Sequence, residues 1–361
     1  MKKFRAIPVV VIWLVLTVFV WFSPAEEMSD AERRKLAQFP EFSGERVLDG
    51  SFMEDFDAYS LDQFPMREGF RRVKSFVNYY VLGQKDNNGI YISDGYAAQM
   101  EYPLKESSVE YALKRFGFLY EKYLTDSKVF AAIVPDKGYY LAENSGHLAL
   151  DYEKMFSLVK EGMPWAEFID LTDTLSIEDY YRTDTHWRQE NLPETAGKIC
   201  AALGVTAPNE EDFVKTALER PFYGVYYGQA ALPMEPETMY ILESETLKNC
   251  SVFDYETGKT TSVYDFGKLE SKDLYDVFLS GARSLLEIRN PNAKTDRKLV
   301  VFRDSFGCAM VPLLVQDYAT VVLIDVRYIQ PEALEEFVEF EGRDVLFLYS
   351  TLVLNNSAAI K

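Results

Sequence analysis

Apolar and polar positions along this chain predict helices and buried strands in alternation. Helical spacing runs through SSVEYALKRFGFLYEKYL, and the apolar run KVFAAIVP follows it as a strand. A second helix, over DYEKMFSLVKEG, precedes the strand AEFIDL, and a third helix covers roughly residues 190–203. Helices that alternate with apolar strands predict a parallel sheet with helices on both faces.

This rhythm is interrupted between about residues 206 and 270. Aromatic residues, glycine and threonine alternate there in PFYGVYYGQAALP and NCSVFDYETGKTTSVYDFG, which is typical of hairpins in a β-rich insertion. The α/β rhythm then resumes. Its strands are KLVVF, ATVVLIDV and DVLFLYS, and the helices predicted between them are SFGCAMVPLLVQDY and PEALEEFVEFEG.

Before residue 84 the pattern is mainly helical. Ser29 and Glu32 have the spacing of a capping box and predict a short helix that ends before Pro40. Apolar residues from Phe70 to Val81 recur at helical spacing and predict a second helix. The chain therefore divides into an N-terminal segment (1–24), a helical lead-in (25–83), the first half of an α/β domain (84–205), the insertion (206–270) and the second half (271–361).

The N-terminal segment predicts export. Lys2, Lys3 and Arg5 precede a run without charge from Ala6 to Phe22. As a helix this run would span roughly 26 Å, near the hydrocarbon thickness of about 30 Å. The positive-inside rule then predicts a single-pass anchor with the rest of the chain outside the cytoplasm. A cleaved signal peptide ending near Ala25 is the alternative, and it also exports the protein.

Composition and charge narrow the range of partners. Apolar residues make up 48% of the 361 residues, and the formal net charge is −19. A surface this acidic repels phosphate backbones, so we expect no nucleic-acid partner. The cysteines, Cys200, Cys250 and Cys308, form no CxxC motif and no cluster with histidine, so we predict no metal site.

The stretch KLVVFRDSFG carries the first candidate chemistry. Ser305 follows the end of an apolar strand, where open α/β sheets bind ligands. The backbone N–H groups of Ser305, Phe306 and Gly307 face the same point and can stabilise a developing oxyanion. Alternatively, Asp304 or Ser305 simply caps a helix, and this stretch alone favours the cap.

The stretch TDTHW carries the second candidate chemistry. It contains His186, one of two histidines in the chain, and Asp184 two positions earlier. In an extended segment both side chains leave on the same side, so the carboxylate can accept from Nδ1 and leave Nε2 for a serine. Alternatively, Asp184 caps the next helix and His186 packs against Trp187. The other histidine, His147, lies in a polar loop without aromatic neighbours in the sequence.

Taken together, YYRTDTHW and the later VVFRDSF resemble the SGNH-hydrolase-like proteins of the alginate O-acetyltransferase type, and in particular their Gram-positive branch, the DHHW proteins. Other blocks occur in the family's order: DQFPMREGFRRVKSFVNYYVLGQKDNNGIYISDGY, FAAIVPDKGYY, DLYDVFLSGARSLLEIRN and VVLIDVRYI. The resemblance implies a flavodoxin-like α/β sandwich of SGNH type with the β-rich insertion. Its motif order is circularly permuted, since most SGNH hydrolases have the serine block first.

The resemblance also implies a catalytic triad, with Ser305 as nucleophile, His186 as base and Asp184 as the acid that orients the base. The sequence departs from the family pattern at two positions. Thr185 stands where the eponymous motif has histidine, which leaves the triad intact. Arg303 stands where glycine is usual in the alginate type, which changes the turn or adds a charge beside the acyl site.

Residues around the triad are weaker candidates. Phe306 and Gly307 are candidates for the oxyanion site through their N–H groups. Arg327 and Tyr328 follow the next predicted strand and are candidates for lining the site. Alternatively, Arg327 is a surface cation and Tyr328 is a packed aromatic ring, and this interpretation explains the pair equally well. Lys137, in the Pro-x-Lys turn, is interpreted as structural.

The activity implied by the resemblance is transfer of an acetyl group onto a cell-surface polysaccharide, without cofactor or metal. A membrane-bound O-acyltransferase is the implied acetyl donor. Two alternatives stay open: a carbohydrate esterase with the same triad, and a non-catalytic scaffold or binding protein of the cell wall. The expected location is the cell membrane with the catalytic domain outside, or the secreted state after signal cleavage.

Overall fold

The computed structural model describes residues 7–361. The described residues form two compact units, one of residues 7–88 with Tyr227–Met234, and one of Gly89–Tyr226 with Glu235–Lys361. All the candidate site residues from the sequence lie in the second unit. The domain boundaries predicted at residues 24, 83, 205 and 270 stay predictions.

Helices and one short hairpin make up the first unit up to residue 88. The helices are α1 (Ile7–Phe22), α2 (Gly44–Leu48), α3 (Ser51–Asp62) and α4 (Arg67–Phe76), and the strands are β1 (Met28–Ser29) and β2 (Arg34–Lys35). A π-helical turn, Val77–Val81, extends α4. The helix predicted from Phe70 to Val81 is therefore confirmed.

Helix α1 confirms that the apolar run near the N-terminus is helical. The rest of that prediction, which concerns Lys2, Lys3, Arg5 and Ala6, lies outside the described residues. Among the helices of residues 7–361, none is both long enough and apolar enough to cross a membrane. The single-pass anchor stays a prediction.

The helix predicted from Ser29 is wrong, because this segment forms the hairpin of β1 and β2. The Glu32 N–H donates to Ser29 Oγ at 3.1 Å, as it would to a capping serine. Arg33 then takes a left-handed φ of 52°, which turns the chain back. The Glu32 carboxylate lies 2.6 Å from Arg67 and 3.2 Å from Arg71, whereas a capping box requires it at Ser29.

From Gly89 to Leu203, and again from Leu285 onward, helices and strands alternate as the sequence predicted. In the segment predicted to form hairpins, Val225–Ala230 is instead a helix. The helices are α5 (Glu106–Leu119), α6 (Gly138–Ser145), α7 (Tyr152–Gly162), α8 (Pro193–Leu203), α9 (Val225–Ala230), α10 (Glu245–Asn249), α11 (Gly307–Met310) and α12 (Thr351–Asn355). The strands are β3 (Ile90–Ser93), β4 (Tyr96–Gln99), β5 (Lys128–Val134), β6 (Glu167–Ile169), β7 (Val214–Ala217), β8 (Tyr240–Glu243), β9 (Ser251–Asp254), β10 (Lys259–Thr261), β11 (Leu285–Arg289), β12 (Lys298–Arg303), β13 (Thr320–Ile324) and β14 (Asp344–Ser350).

An eight-stranded sheet with the order β10-β9-β11-β13-β12-β14-β5-β6 lies at the centre of the second unit. The strands from β13 to β6 are parallel, so the predicted parallel sheet is confirmed. Strands β11, β9 and β10 extend it in antiparallel orientation. Counted from β12 as the first strand, the parallel part has the order 2-1-3-4-5 of flavodoxin-like folds. The fold is therefore an α/β sandwich with circularly permuted order, as predicted.

Both faces of the parallel strands are buried. Phe130 and Ala132 of β5 belong to one core, which also contains Ile199 of α8. Ala131, between them, belongs to the core on the other face, together with Phe116 of α5. Because side chains of a strand alternate between faces, an uninterrupted apolar run such as KVFAAIV fills both cores.

Two helices predicted in the second half of the chain are shorter than expected. After Ser305 the α-helix covers Gly307–Met310, and a 3₁₀ turn over Val311–Leu314 follows. Pro312 accounts for the change, since it has no N–H to continue the α-helical ladder. The segment predicted as a helix from Pro331 is a 3₁₀ helix that ends at Glu336.

Phe347 of β14 provides a test of the packing on one face of the sheet. Its side chain is 1% exposed, and its ring stacks on Phe302 of β12 with centroids 4.7 Å apart. We expect Phe347→Ala to lower the free energy of unfolding by about 3–5 kcal/mol, because it leaves a cavity. The control Phe266→Ala, at a side chain 50% exposed, should cost less than about 1 kcal/mol. Guanidinium denaturation followed by circular dichroism measures both, and equal losses would contradict the packing described.

Candidate active site

Ser305 lies at the carboxyl end of β12, between β13 and β14, where the strand order of the sheet reverses. This is the switch point at which open α/β sheets bind ligands. Asp304 builds the turn, because its Oδ1 accepts from Phe306 N–H at 3.0 Å and its Oδ2 accepts from Ser350 N–H at 2.8 Å. The serine turn is thereby tied to the end of the neighbouring strand.

His186 reaches Ser305 from an irregular loop. An isolated antiparallel bridge joins Tyr180 to Trp187 and closes this loop. The extended segment predicted for TDTHW is therefore wrong. The Trp187 Nε1–H donates to Phe306 O at 3.0 Å, so the end of the loop is fastened directly to the serine turn.

Asp184, His186 and Ser305 form a continuous chain of hydrogen bonds. His186 Nε2 lies 2.8 Å from Ser305 Oγ, and His186 Nδ1 lies 2.6 Å from Asp184 Oδ1. The same carboxylate oxygen accepts from the backbone N–H of His186 at 3.0 Å. A tight turn, rather than the alternation of a strand, therefore brings the two side chains together. The structure unites the three residues that the sequence singled out.

Aromatic rings hold the imidazole in place. The His186 ring stacks on Tyr275 with centroids 3.9 Å apart and an interplanar angle of 9°. The Phe306 ring lies against it at 5.1 Å in a tilted arrangement. Burial raises the pKa of Tyr275 well above its ordinary value, so the stacked ring stays neutral. Packing and hydrogen bonding therefore fix the same orientation of the imidazole.

Asp184 is fully buried, and a distant segment supplies a donor for its second oxygen. Val225 N–H donates to Asp184 Oδ2 at 2.7 Å. The neighbouring Gly224 donates its N–H to Thr183 Oγ1 at 3.0 Å. A Cβ on Gly224 would lie 2.3 Å from Asp184 Cβ, so only glycine permits this approach. Neither Val225 nor Gly224 stands out in the sequence as a site residue, because PFYGVYYG carries only the signal of a hairpin.

The N–H groups of Phe306 and Gly307 are engaged within the serine turn. Phe306 N–H donates to Asp304 Oδ1 at 3.0 Å, and Gly307 N–H donates to Asp304 O at 3.1 Å. These bonds count against the oxyanion role predicted for both residues. Within residues 7–361, Ser305 N–H donates to no acceptor, so this donor is available beside Oγ.

Arg303, the departure from the family pattern before the serine, is fully buried. Its Nη1 donates to Cys308 Sγ at 3.3 Å and to Asp304 O at 3.4 Å, and lies 3.8 Å from Asp325 Oδ2. A Cβ on Gly307 would lie 2.8 Å from Arg303 Cβ, so the glycine leaves room for this side chain. Arg303 thus places a positive charge inside the protein at the serine turn.

Arg327 and Tyr328 form a group with Asp325 at the end of β13. The Arg327 guanidinium donates to both carboxylate oxygens of Asp325, at 2.9 and 2.7 Å. It also lies 5.4 Å from the centre of the Tyr328 ring, which is half exposed. These contacts do not involve the triad, so their predicted role in lining the site stays a prediction.

His147 is placed apart from the triad, in contact with other residues. Its ring stacks on Tyr91 with centroids 3.9 Å apart, and its Nδ1 lies 2.8 Å from Ser145 Oγ. The aromatic neighbour that the surrounding sequence lacks therefore comes from β3. The contacts of His147 give it a packing role.

Comparison with known proteins identifies the region that contains the triad. A family model described as DHHW protein matches residues 156–324, which include Asp184, His186 and Ser305. The resemblance to the DHHW proteins is confirmed. A comparison with curated proteins finds no match.

Solved structures resemble this chain in fold over most of its length. A DHHW family protein from Eubacterium siraeum is 21% identical and aligns with a TM-score of 0.61, over 76% of this chain and 95% of that one. Bacillus cereus PatB1, solved with a sulfonyl adduct, is 17% identical with a TM-score of 0.58, over 73% and 95%. The O-acetyltransferase domain of Pseudomonas putida AlgJ is 13% identical with a TM-score of 0.45, over 74% and 92%. The first two likenesses confirm the fold.

Gly224 provides a test of how the candidate active site is held. We expect Gly224→Ala to displace Asp184, because the new methyl group overlaps its Cβ. Labelling of the protein by a serine-reactive fluorophosphonate should then slow by at least about 10-fold, since a small misplacement is costly. The matched control is Gly117→Ala in α5, where a Cβ meets no atom within 4 Å. It should leave labelling unchanged and raise the free energy of unfolding by about 0.5–1 kcal/mol. A folded Gly224→Ala variant with the wild-type labelling rate would contradict this account.

Proposed function

We propose that this protein is an O-acyltransferase that moves an acetyl group onto a hydroxyl of a cell-surface polysaccharide through a covalent serine intermediate. The observation that carries the proposal is the continuous chain of hydrogen bonds from Asp184 through His186 to Ser305 at the switch point of the sheet. The likeness to the DHHW branch supports acetyl as the group transferred.

In the first half-reaction, Ser305 takes the acetyl group from a donor. As Oγ attacks the acyl carbonyl carbon, its proton passes to His186 Nε2, which lies 2.8 Å away. The Asp184 carboxylate accepts from Nδ1–H and stabilises the imidazolium that forms. The free N–H of Ser305 is suited to hold the oxyanion. When the tetrahedral intermediate collapses, the leaving group takes the proton from His186, and the acetyl ester of Ser305 remains.

In the second half-reaction, the same groups act with the acceptor. A sugar hydroxyl gives its proton to His186 Nε2 as its oxygen attacks the ester carbonyl. Collapse of the second tetrahedral intermediate breaks the bond to Ser305 Oγ, which recovers a proton from His186. The sugar leaves as an acetyl ester, and the residues return to their starting state. With water in place of the sugar, the identical steps give acetate, which is the esterase alternative.

The PatB1 structure with a sulfonyl adduct supports a reactive nucleophile in this fold. Covalent modification of this kind requires an activated nucleophile, and an adjacent general base is the usual means of activation. This chain has the same fold, and the distance of 2.8 Å from His186 Nε2 to Ser305 Oγ supports the same means of activation.

The proposal includes a location outside the cytoplasm and two partners. The basic residues and apolar run at the N-terminus support export. We expect a membrane-bound O-acyltransferase to supply the acetyl group and a neutral cell-surface polysaccharide to accept it. The net charge of −19 favours a neutral acceptor over an acidic one.

Substitution of the triad tests the covalent mechanism. We expect Ser305→Ala and His186→Ala each to lower kcat for p-nitrophenyl acetate by about 10⁴–10⁶, and Asp184→Asn by about 10⁴. Each variant should keep the wild-type circular dichroism spectrum. Thr185→Ala should change kcat by less than about 10-fold, since it removes the hydrogen bond from Tyr226 OH to Thr185 Oγ1 and no contact of His186 or Ser305. A wild type that fluorophosphonate does not label, or His147→Ala as the inactivating variant, would overturn the proposal.

The identity of the acceptor, a sugar or water, distinguishes a transferase from an esterase. We expect acetyl transfer from p-nitrophenyl acetate to added cell-wall oligosaccharides, detected by mass spectrometry, to exceed the release of free acetate. The Ser305→Ala variant controls for transfer without enzyme. Acetate as the sole product across a series of neutral oligosaccharides would favour the esterase instead.

A further inference from the structure

Lys137 is a buried cation beside the loop that carries the triad acid. It follows β5 in the turn VPDKG, and its side chain is 2% exposed. Lysine is almost never fully buried unless its ammonium group has partners. The contacts of Lys137 therefore call for an explanation beyond packing.

Two carbonyl groups of the loop accept from the Lys137 ammonium group. Its Nζ donates to Tyr181 O at 2.9 Å and to Arg182 O at 3.3 Å. These residues directly precede Thr183 and Asp184. The far end of the loop is held by Trp187, whose indole donates to the serine turn. Lys137 thus holds the start of a loop whose end is already fixed.

Lys137 also contacts Tyr226, which lies in the segment predicted as the insertion. The Lys137 ammonium group lies 5.0 Å from the centre of the Tyr226 ring, within the range of a cation–π interaction. The Tyr226 hydroxyl donates to Thr185 Oγ1 at 3.1 Å, and Val225 beside it donates to Asp184 Oδ2. Lys137 and Tyr226 therefore contact the loop on both sides of Asp184.

Three carboxylates act on the charge of Lys137. Burial lowers the pKa of Lys137 to about 7, while Asp184, Glu237 and Asp136 act in the opposite direction and favour the charged form. Glu237 belongs to the same arrangement, because its Oε2 accepts from Thr183 N–H at 2.9 Å. A buried carboxylate without a neighbouring cation is strongly disfavoured, so the ammonium group stabilises the ionised form of Asp184.

We propose that Lys137 is a positioning residue for acyl transfer, which fixes the start of the Asp184 loop and balances the charge of that carboxylate. The inference rests on the proposed function, since it assigns Lys137 a role through Asp184 and His186. The residue transfers no atom and donates to the loop rather than to Ser305. Its loss should therefore lower kcat and leave KM nearly unchanged.

Three substitutions of Lys137 separate its charge from its hydrogen bonds. Lys137→Met removes both, Lys137→Gln keeps an N–H donor without the charge, and Lys137→Arg keeps both. We expect Lys137→Met to lower kcat for p-nitrophenyl acetate by about 10–100-fold with KM within about 2-fold of wild type. Lys137→Gln should lose less, and Lys137→Arg should recover most of the activity. The control is Lys154→Met, which removes an exposed lysine paired with Glu106 and should change nothing.

The pH dependence of kcat/KM distinguishes the proposed role of Lys137 from a merely structural one, which would leave that dependence unchanged. Removal of a cation makes it easier for the nearby Asp184–His186 pair to take up a proton, and the base is active only without that proton. The acidic limb of kcat/KM should therefore move to higher pH by about one unit in Lys137→Met and Lys137→Gln. It should stay in place in Lys137→Arg. If Lys137→Met does not fold, the comparison of Lys137→Gln with Lys137→Arg carries the same test.

The outcomes distinguish this inference from the function on which it rests. A wild type that fluorophosphonate does not label would overturn the acyl-transfer proposal itself. If the wild type is labelled and Ser305→Ala is not, the proposed function stands, and the Lys137 variants decide the inference. In that case a folded Lys137→Gln or Lys137→Met with wild-type kcat and an unshifted acidic limb would overturn it.

Discussion

The buried Asp184 carboxylate is the constraint on which the site depends. An ionised group without exposure to water costs several kcal/mol unless donors surround it. Here the donors come from the His186 backbone and ring and from Val225 N–H. Val225 belongs to the segment predicted as an insertion, so that segment supplies part of the site. Gly224 permits its approach because it has no Cβ. Satisfying one carboxylate thus draws together segments that are far apart in the chain.

Side-chain contacts also link the carboxyl ends of three adjacent strands. Asp304 after β12 accepts from Ser350 N–H at the end of β14. The next residue, Thr351, donates its hydroxyl to Asp136 Oδ2 at 2.7 Å and accepts from Asp136 N–H at 3.0 Å, at the end of β5. Lys137, which follows Asp136, donates to Tyr181 O in the loop that contains Asp184. These links depend on which strands are neighbours, not on their order in the chain. A circular permutation therefore leaves them intact, which explains why the histidine block can precede the serine block.

Sequence reasoning identified the features that leave a local pattern. Continuous apolar runs such as KVFAAIV indicated strands buried on both faces, and TDTHW and RDSF taken together indicated the side chains that hydrogen-bond at the site. A prediction was wrong where a local sequence signal for one structure occurs in a different structure. Ser29 receives the hydrogen bond of a helix cap, yet Arg33 turns the chain into a hairpin. Contacts such as that of Val225 with Asp184, which are 41 positions apart, leave no pattern in either segment and could not be predicted.

Arg303, like Asp184, is a buried charged residue that needs polar or oppositely charged groups around it. A guanidinium group buried two positions before the serine requires space and a negative charge. Gly307 supplies the space, and Asp325 lies 3.8 Å from Arg303 Nη1. Asp325 is shared with Arg327, so two cations compete for one buried carboxylate. Arg327 makes the closer, bidentate contact with Asp325. Arg303 donates in addition to carbonyl groups and to the Cys308 sulfur. A positive charge can therefore lie within the protein two positions before Ser305 while His186 remains the hydrogen-bond partner of the Ser305 Oγ.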